Sequence, residues 1–101
     1  MNAERLLIQA SEIMTERGRQ YDKPKGERSM ARTVKAFNII TGQDLTETQG
    51  WQFMEVLKAV RAFTGNKLHD DSMLDGIAYS ALKTESGMNE NLMNAYNGVK
   101  S

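Results

Sequence analysis

A chain of 101 residues is the length of one domain, and its thirteen basic residues are balanced by thirteen acidic ones. Zero net charge argues against a nucleic-acid partner, and the lack of cysteine excludes disulfides and thiolate metal sites. No segment approaches the roughly twenty apolar residues of a membrane span, and the N-terminus lacks the pattern of a signal peptide. We therefore expect a cytoplasmic protein that makes no membrane contact.

The first predicted helix runs from Asn2 to about Glu16, because apolar residues recur there at steps of three and four. Gly18 is expected to end it, since glycine readily adopts the left-handed conformation found at helix C-termini. The charged segment that follows reads RGRQYDKPKGER. It is either a solvated connection or a loop whose basic side chains bind the oxygen atoms of an anion.

A second core helix is predicted from about Glu27 to Thr41, with Gly42 as its C-terminal stop. The third helix should begin at a T-x-x-Q pattern, Thr46 to Gln49. In this pattern the threonine hydroxyl and the glutamine amide each accept a hydrogen bond from a backbone N–H group that the helix leaves free.

The third predicted helix has two chemically different faces. One face carries Phe53, Val56, Leu57, Val60 and Phe63, and the opposite face carries Trp51, Glu55, Lys58 and Ala62. Tryptophan and alanine are not expected on a purely solvated face, so we predict a helix that is covered on both sides, the second side being an interface or a pocket. Glu55 and Lys58 form an ordinary i,i+3 ion pair or belong to a functional site.

A fourth helix is predicted after the next loop, with Asp70 or Asp71 as its N-cap. Asp75 follows Asp71 by one helical turn, too deep in the helix to be a cap. Two carboxylates one turn apart repel each other unless a cation lies between them. That cation is Mg²⁺, which prefers oxygen ligands, or the side chain of Lys58 or Arg61.

The dipeptide Ser86-Gly87 is expected to interrupt this helix. Residues 1–85 then form a single all-α domain of four helices, and residues 86–101 form a tail that is a short docked helix or disordered. A chain of this length buries little apolar surface by itself, so we expect a homo-oligomer to complete the fold.

Three short motifs occur in order along the chain: ERG-x-x-Y followed by a proline, LK-x-x-R, and DS-x-x-D-x-x-x-Y-x-x-L. Together they span roughly Glu16 to Leu82 and resemble the small phage and prophage proteins related to the MazG-like, all-α nucleoside triphosphate pyrophosphohydrolases. The resemblance implies a four-helix arrangement that is dimeric or tetrameric. It also implies that Mg²⁺ activates water to split a nucleoside triphosphate into pyrophosphate and a monophosphate.

The resemblance further implies roles for individual residues. The metal ligands are Glu55, Asp71 and Asp75, and the catalytic residues among them are Glu55 and Asp75. The phosphate contacts are Lys58 and Arg61, with Arg17 or Arg19 from the loop. The residue near the base is Tyr21 or Trp51.

Two positions depart from the family pattern, and one of them is Asp22, which stands where a glycine is expected after the tyrosine. The other is Lys58. The enzymes carry an E-x-x-E pair where this chain has Glu55 and Lys58. An ammonium group in place of a carboxylate should weaken Mg²⁺ binding, so the scaffold can keep a nucleotide pocket without hydrolysis. The alternative function is a non-catalytic phage interaction protein that binds a host protein or a signalling nucleotide.

Overall fold

The structure is a computed structural model that describes the backbone of residues 1–21 and 29–100 and the side chains of residues 1–17 and 29–98. Within these ranges the chain forms four helices, α1 (Ala3–Tyr21), α2 (Met30–Thr41), α3 (Glu47–Ala62) and α4 (Asp70–Lys100). The predicted all-α, four-helix arrangement is confirmed. None of the described helices has both the length and the hydrophobicity that crossing a membrane requires.

Helix α1 continues to Tyr21, so the predicted end at Gly18 is wrong. A glycine inside a helix costs up to about 1 kcal/mol, which the packing of the rest of the helix can offset. α1 packs along α4, and Arg17 binds a carboxylate of that helix just before the glycine. The predicted start of α2 at Glu27 lies outside the described residues.

The connection from α2 to α3 follows the predicted local chemistry. Gly42 has a φ of 72° and caps α2 in the left-handed conformation, as predicted. The side chain of Asn38 then holds the connection through two hydrogen bonds with the backbone of Leu45, of 2.9 and 3.0 Å. The predicted capping box is confirmed, because Thr46 and Gln49 each accept a hydrogen bond from the other's backbone N–H group.

Helix α2 packs on α3 at a position where only glycine fits. A Cβ atom on Gly50 would lie 2.6 Å from Cγ2 of Val34 and 2.7 Å from Sδ of Met30. These distances are shorter than any ordinary van der Waals contact. The helix-destabilising glycine at the start of α3 is therefore explained by the close approach of α2.

Helices α3 and α4 form an antiparallel pair. His69 caps α4, because its Nδ1 atom accepts a hydrogen bond of 3.3 Å from the backbone N–H of Ser72. The prediction that Asp70 or Asp71 is the N-cap is therefore wrong. Both aspartates lie instead in the first turn of α4, where a negative charge interacts favourably with the helix dipole.

Helix α4 has 31 residues and continues through Ser86-Gly87, so the predicted interruption there is wrong. The buried hydroxyl of Ser86 forms a hydrogen bond of 2.7 Å with the hydroxyl of Thr48 on α3, and this contact holds the helix across the glycine. The helix is about 46 Å long at 1.5 Å per residue, which accounts for most of the 51 Å long axis of the molecule. The division into a domain of residues 1–85 and a tail stays a prediction.

The two faces of α3 are not equally covered. The face that carries Trp51, Glu55, Lys58 and Ala62 packs against α4, and Trp51 and Ala62 are buried there. The more apolar face, with Phe53 and Phe63 at its ends, is exposed. The single chain therefore covers α3 on one side, and the described residues include no large side chain that is completely enclosed.

Candidate functional site

A buried carboxylate joins three of the four helices. Asp75 on α4 is only 5% exposed. Its Oδ1 atom lies 3.0 Å from Nη2 of Arg17 on α1, and its Oδ2 atom lies 2.9 Å from Nζ of Lys58 on α3. We call these three residues the Asp75 cluster. Two cations meet one anion in it, so the cluster carries one positive charge in excess.

The antiparallel packing of α3 on α4 explains why Lys58 reaches Asp75. Gly76 follows Asp75 in the sequence, and a Cβ atom there would lie 4.0 Å from Cβ of Lys58. The lysine stem therefore crosses α4 beside a residue without a side chain, and its ammonium group reaches the carboxylate of the preceding residue. Lys58 is 14% exposed and Arg17 is 48% exposed, so the lysine is the buried partner and the arginine the accessible one.

A cavity of about 630 Å³ opens beside the Asp75 cluster. It forms because α1 packs on α4 whereas α2 packs on α3, which leaves space between these two layers. Its volume is in the range of pockets that bind small molecules. We call it the four-helix cavity. Its lining residues that bear on function are Thr15, Arg17, Thr33, Trp51, Met54 and Tyr79.

Two aromatic side chains form one wall of the four-helix cavity. The ring centroids of Trp51 and Tyr79 lie 5.9 Å apart, and the two ring planes are inclined by 32°. The indole N–H group of Trp51 donates a hydrogen bond of 3.1 Å to Oε2 of Glu47, which fixes the orientation of the ring. Aromatic faces of this kind can stack on a planar ligand. Arg17 reaches the same cavity from α1.

The predicted acid of α3, Glu55, is paired with a lysine of α4. Oε2 of Glu55 lies 2.7 Å from Nζ of Lys83, and the same ammonium group donates a hydrogen bond of 3.0 Å to Gln52. The contact of Glu55 with Lys83 is an ion pair without hydrogen-bond geometry, so the charges are neutralised but this buried oxygen accepts no hydrogen bond. Glu55 and Lys58 both line a second, smaller cavity of about 370 Å³.

The predicted metal ligands do not gather at one point. Asp75 is paired with two cations, Glu55 is paired with Lys83, and Asp71 is exposed in the first turn of α4. Across residues 1–17 and 29–98 no three acidic or histidine side chains lie close enough to hold a metal ion. The side chains in this arrangement do not fit a magnesium ion, and the predicted magnesium site stays a prediction.

The structure brings some of the predicted nucleotide contacts together. Arg17 and Trp51 line the four-helix cavity. Lys58 does not line it but is connected to Arg17 because both side chains bind Asp75. Arg61 is exposed in the last turn of α3 and lines neither of the two cavities described above. The side chains of Arg19 and Tyr21 lie outside the described residues.

Two contacts were missed at the sequence level. Lys83 lies two turns after Asp75 on the same flank of α4, so helical spacing alone could have suggested that it faces Glu55. Tyr79 lies on that flank as well, and its position opposite Trp51 follows from the antiparallel packing. The sequence does not specify that packing, because the periodicity of a helix shows which of its faces is apolar but not which other helix covers that face.

No curated protein and no solved structure matches this chain. A family model described as a domain of unknown function, DUF6378, matches residues 5–87. The match includes α1 from Arg5 onward, α2, α3 and the first part of α4. It therefore includes every residue of the Asp75 cluster and of the four-helix cavity. The chain therefore belongs to the DUF6378 family.

Proposed function

We propose that this chain is a nucleotide-binding protein that takes its ligand into the four-helix cavity. The observation that carries the proposal is the composition of that cavity, where a Trp51–Tyr79 wall and the guanidinium group of Arg17 line one space. A nucleotide has the matching chemistry, a flat base joined to an anionic phosphate chain. The base contacts the aromatic wall, and the phosphate chain contacts Arg17.

The Asp75 cluster supports the phosphate end of this proposal. Its excess positive charge favours an anion, and Arg17 is half exposed, so its guanidinium group has N–H donors that the ion pair with Asp75 does not use. Lys58 stays bound to Asp75 and keeps the carboxylate from repelling the phosphate. The arginine is therefore the direct contact, and the lysine acts through the cluster.

The resemblance also implies hydrolysis of a nucleoside triphosphate with Mg²⁺, and this reaction is a separate proposal because the described acidic side chains do not gather around a magnesium ion. Such an ion stabilises negative charge on phosphate oxygens and makes a bound water more acidic. The ion pairs of Glu55 and Asp75 leave neither carboxylate free in the present arrangement. Binding and turnover are therefore tested separately. The proposal also includes that the protein is of phage type and acts in the cytoplasm.

The binding test uses the single tryptophan of the chain, which lies in the cavity wall. Each nucleoside triphosphate and deoxynucleoside triphosphate is titrated into the protein in EDTA while the tryptophan fluorescence is followed. We expect a saturable change for at least one triphosphate and a weaker effect for its nucleoside. Arg17→Met should weaken the affinity on the order of tenfold or more, because a hydrogen bond to a charged group is lost.

Arg5→Met is the matched control for Arg17→Met. Arg5 is also an exposed arginine of α1, but it does not line the cavity, so its removal should leave the affinity unchanged. An absence of saturable binding for every nucleotide tested, or an equal loss in both variants, contradicts the proposal.

Turnover is then measured as pyrophosphate release in the presence of Mg²⁺. Release that falls on Glu55→Gln, with nucleotide affinity retained, supports the hydrolase. Saturable binding without pyrophosphate release would exclude the hydrolase function and support a protein that only binds nucleotides.

A second candidate function is a non-catalytic interaction protein that binds a host protein. It is favoured by Ile39 and Ile40 on α2, which are each 82% exposed although they are large and apolar. A ligand that binds only the native state raises the midpoint of thermal unfolding. A nucleotide-dependent rise supports the first function, and no rise with any nucleotide supports the second.

We also propose that the working form is a homo-oligomer, because the described core is thin. Its buried apolar residues are Ala10, Val34, Trp51, Ala62, Leu74 and Ala78, most of them small. The radius of gyration is 15.7 Å, whereas a compact domain of this length has about 13 Å. A second chain would supply the missing apolar contacts.

A further inference from the structure

The exposed face of α3 is its most apolar one. Phe53 is 70% exposed, Val56 49%, Val60 59% and Phe63 74%. We call these four residues the α3 seam. Phe53, Val56 and Val60 lie on one side of α3 in the manner of the contact positions of a coiled coil, and Phe63, the residue that caps the C-terminus of α3, follows Val60 by three residues. The two phenylalanines alone expose roughly 300 Å² of mostly apolar surface, a size that the largest apolar patch of a typical monomer reaches and that is often functional.

The charges of α3 lie on the half of the helix away from Phe53, Val56 and Val60, although Glu55 and Lys58 line the smaller cavity together with Phe63. The charged residues of α3 are Glu47, Glu55, Lys58 and Arg61, and each points to the opposite half of the helix at 100° per residue. The residues that flank the seam are Gln52, Leu57, Ala59 and Thr64, none of them charged. Lys83, which reaches Gln52 from α4, is neutralised by Glu55.

An uncharged surface favours one kind of partner, a second copy of the same chain. In a two-fold dimer each residue near the axis meets its own copy or a close neighbour of it, so charged residues at such an interface repel each other. A different protein would more commonly be selected by complementary charges, and the seam offers none.

The spacing of the seam also reads the same in both directions. The order is Phe, Val, Val, Phe, with equal steps of three residues at the two ends. Two antiparallel copies therefore place Phe53 opposite Phe63 of the second copy and Val56 opposite Val60 of the second copy. Large side chains then meet at the ends of the interface, and small ones meet at its centre, where the helices can approach closely.

We infer that two copies of this chain pair through their α3 seams, antiparallel, about a two-fold axis between Val56 and Val60. This interface is the surface through which the self-association proposed above takes place. It does not depend on nucleotide binding, because the Asp75 cluster and the four-helix cavity lie on the other side of α3.

Disulfide trapping tests this geometry directly, because the chain has no cysteine of its own. The full-length variants Phe53→Cys and Phe63→Cys are oxidised separately and as an equal mixture, and covalent dimers are measured on a non-reducing gel. We expect a covalent dimer in the mixture and little or none in either variant alone. A parallel arrangement would cross-link each variant alone, and that result overturns the inference.

Light scattering measures the association without any cross-link. The unmodified chain should have the mass of a dimer at tens of micromolar, and Val60→Glu should have the mass of a monomer. Ile39→Glu is the matched control, since it places the same charge on an exposed apolar residue of α2 and should stay dimeric. A monomeric unmodified chain, or a dimeric Val60→Glu chain, overturns the inference, whatever the nucleotide titration shows.

Discussion

Asp75 is the residue whose environment most limits substitution. Its carboxylate is buried and is held by two cations that differ in exposure, Lys58 at 14% and Arg17 at 48%. A buried ion pair adds little net stability compared with apolar residues, but the removal of one partner leaves a buried charge without compensation. An exposed ion pair contributes about 1 kcal/mol or less.

We therefore expect Asp75→Asn and Arg17→Met to differ in their effect on stability. Asp75→Asn leaves the Lys58 ammonium group buried without a counterion and should lower the free energy of unfolding by about 3 kcal/mol. Arg17→Met leaves Asp75 paired with Lys58 and should cost about 1 kcal/mol or less. Urea denaturation at one fixed protein concentration measures both, and equal losses would contradict the assigned roles.

Gly50 gives a second prediction for a single residue. An alanine in a helix is normally about 1 kcal/mol more favourable than a glycine. At this position its Cβ atom would collide with Val34 and Met30, and such overpacking typically costs about 1 to 3 kcal/mol. Gly50→Ala should therefore lower the midpoint of thermal unfolding.

Gly87→Ala is the control for that substitution. Its Cβ atom would lie 3.6 Å from Cγ2 of Thr48, an ordinary contact, so the usual gain from alanine should appear and the midpoint should rise. A rise of the midpoint of thermal unfolding in both variants would show that α2 moves to accommodate the extra methyl group of Gly50→Ala.

Among the elements, α4 has two parts with different surroundings. The helix packs against α1 and α3, and the buried Ser86 near its middle forms a hydroxyl contact with Thr48 of α3. Beyond Gly87 large apolar side chains such as Met88 and Leu92 are more than half exposed. The second part therefore adds length to the helix but little to the core.

We expect a chain that ends at Gly87 to keep its fold. The truncation should reduce the helical signal in circular dichroism in proportion to the residues removed and change the free energy of unfolding by about 1 kcal/mol or less, because exposed residues contribute little. A chain that ends at Lys83 is the comparison. It also loses the buried Ser86, so it should be clearly less stable. Loss of cooperative unfolding in the chain that ends at Gly87 would show that the second part of α4 belongs to the core.

At the scale of the whole molecule, some local signals in the sequence predicted local structure correctly and others did not. Thr46 with Gln49 and Gly42 act through their own backbone neighbours, so both caps were predicted correctly. Gly18 and Gly87 were predicted to end helices and do not, because the α1–α4 and α3–α4 contacts offset their helix cost. Tertiary packing determines whether the helix continues at these two positions, and the sequence of one helix alone does not predict that packing.

The candidate site shows the same limit. The sequence supplied Arg17, Trp51, Lys58 and Asp75 as candidates. Arg17 and Trp51 line one cavity, and Asp75 connects Arg17 to Lys58 through two ion pairs. The sequence left open whether the cation beside Asp75 is a metal ion or Lys58, and the structure places Lys58 there. That choice depends on how α3 is rotated about its axis relative to α4, which periodicity alone does not determine.

The rotation of α3 has a consequence for engineering the protein. One side of this helix supplies the lysine and the tryptophan of the site, and the other is the seam where a second copy is proposed to bind. No side of α3 is then left for solubilising charges, fluorescent labels or affinity tags. Such additions belong on the exposed polar side of α1 or on the part of α4 beyond Gly87, where each side chain can be changed without touching the site or the dimer.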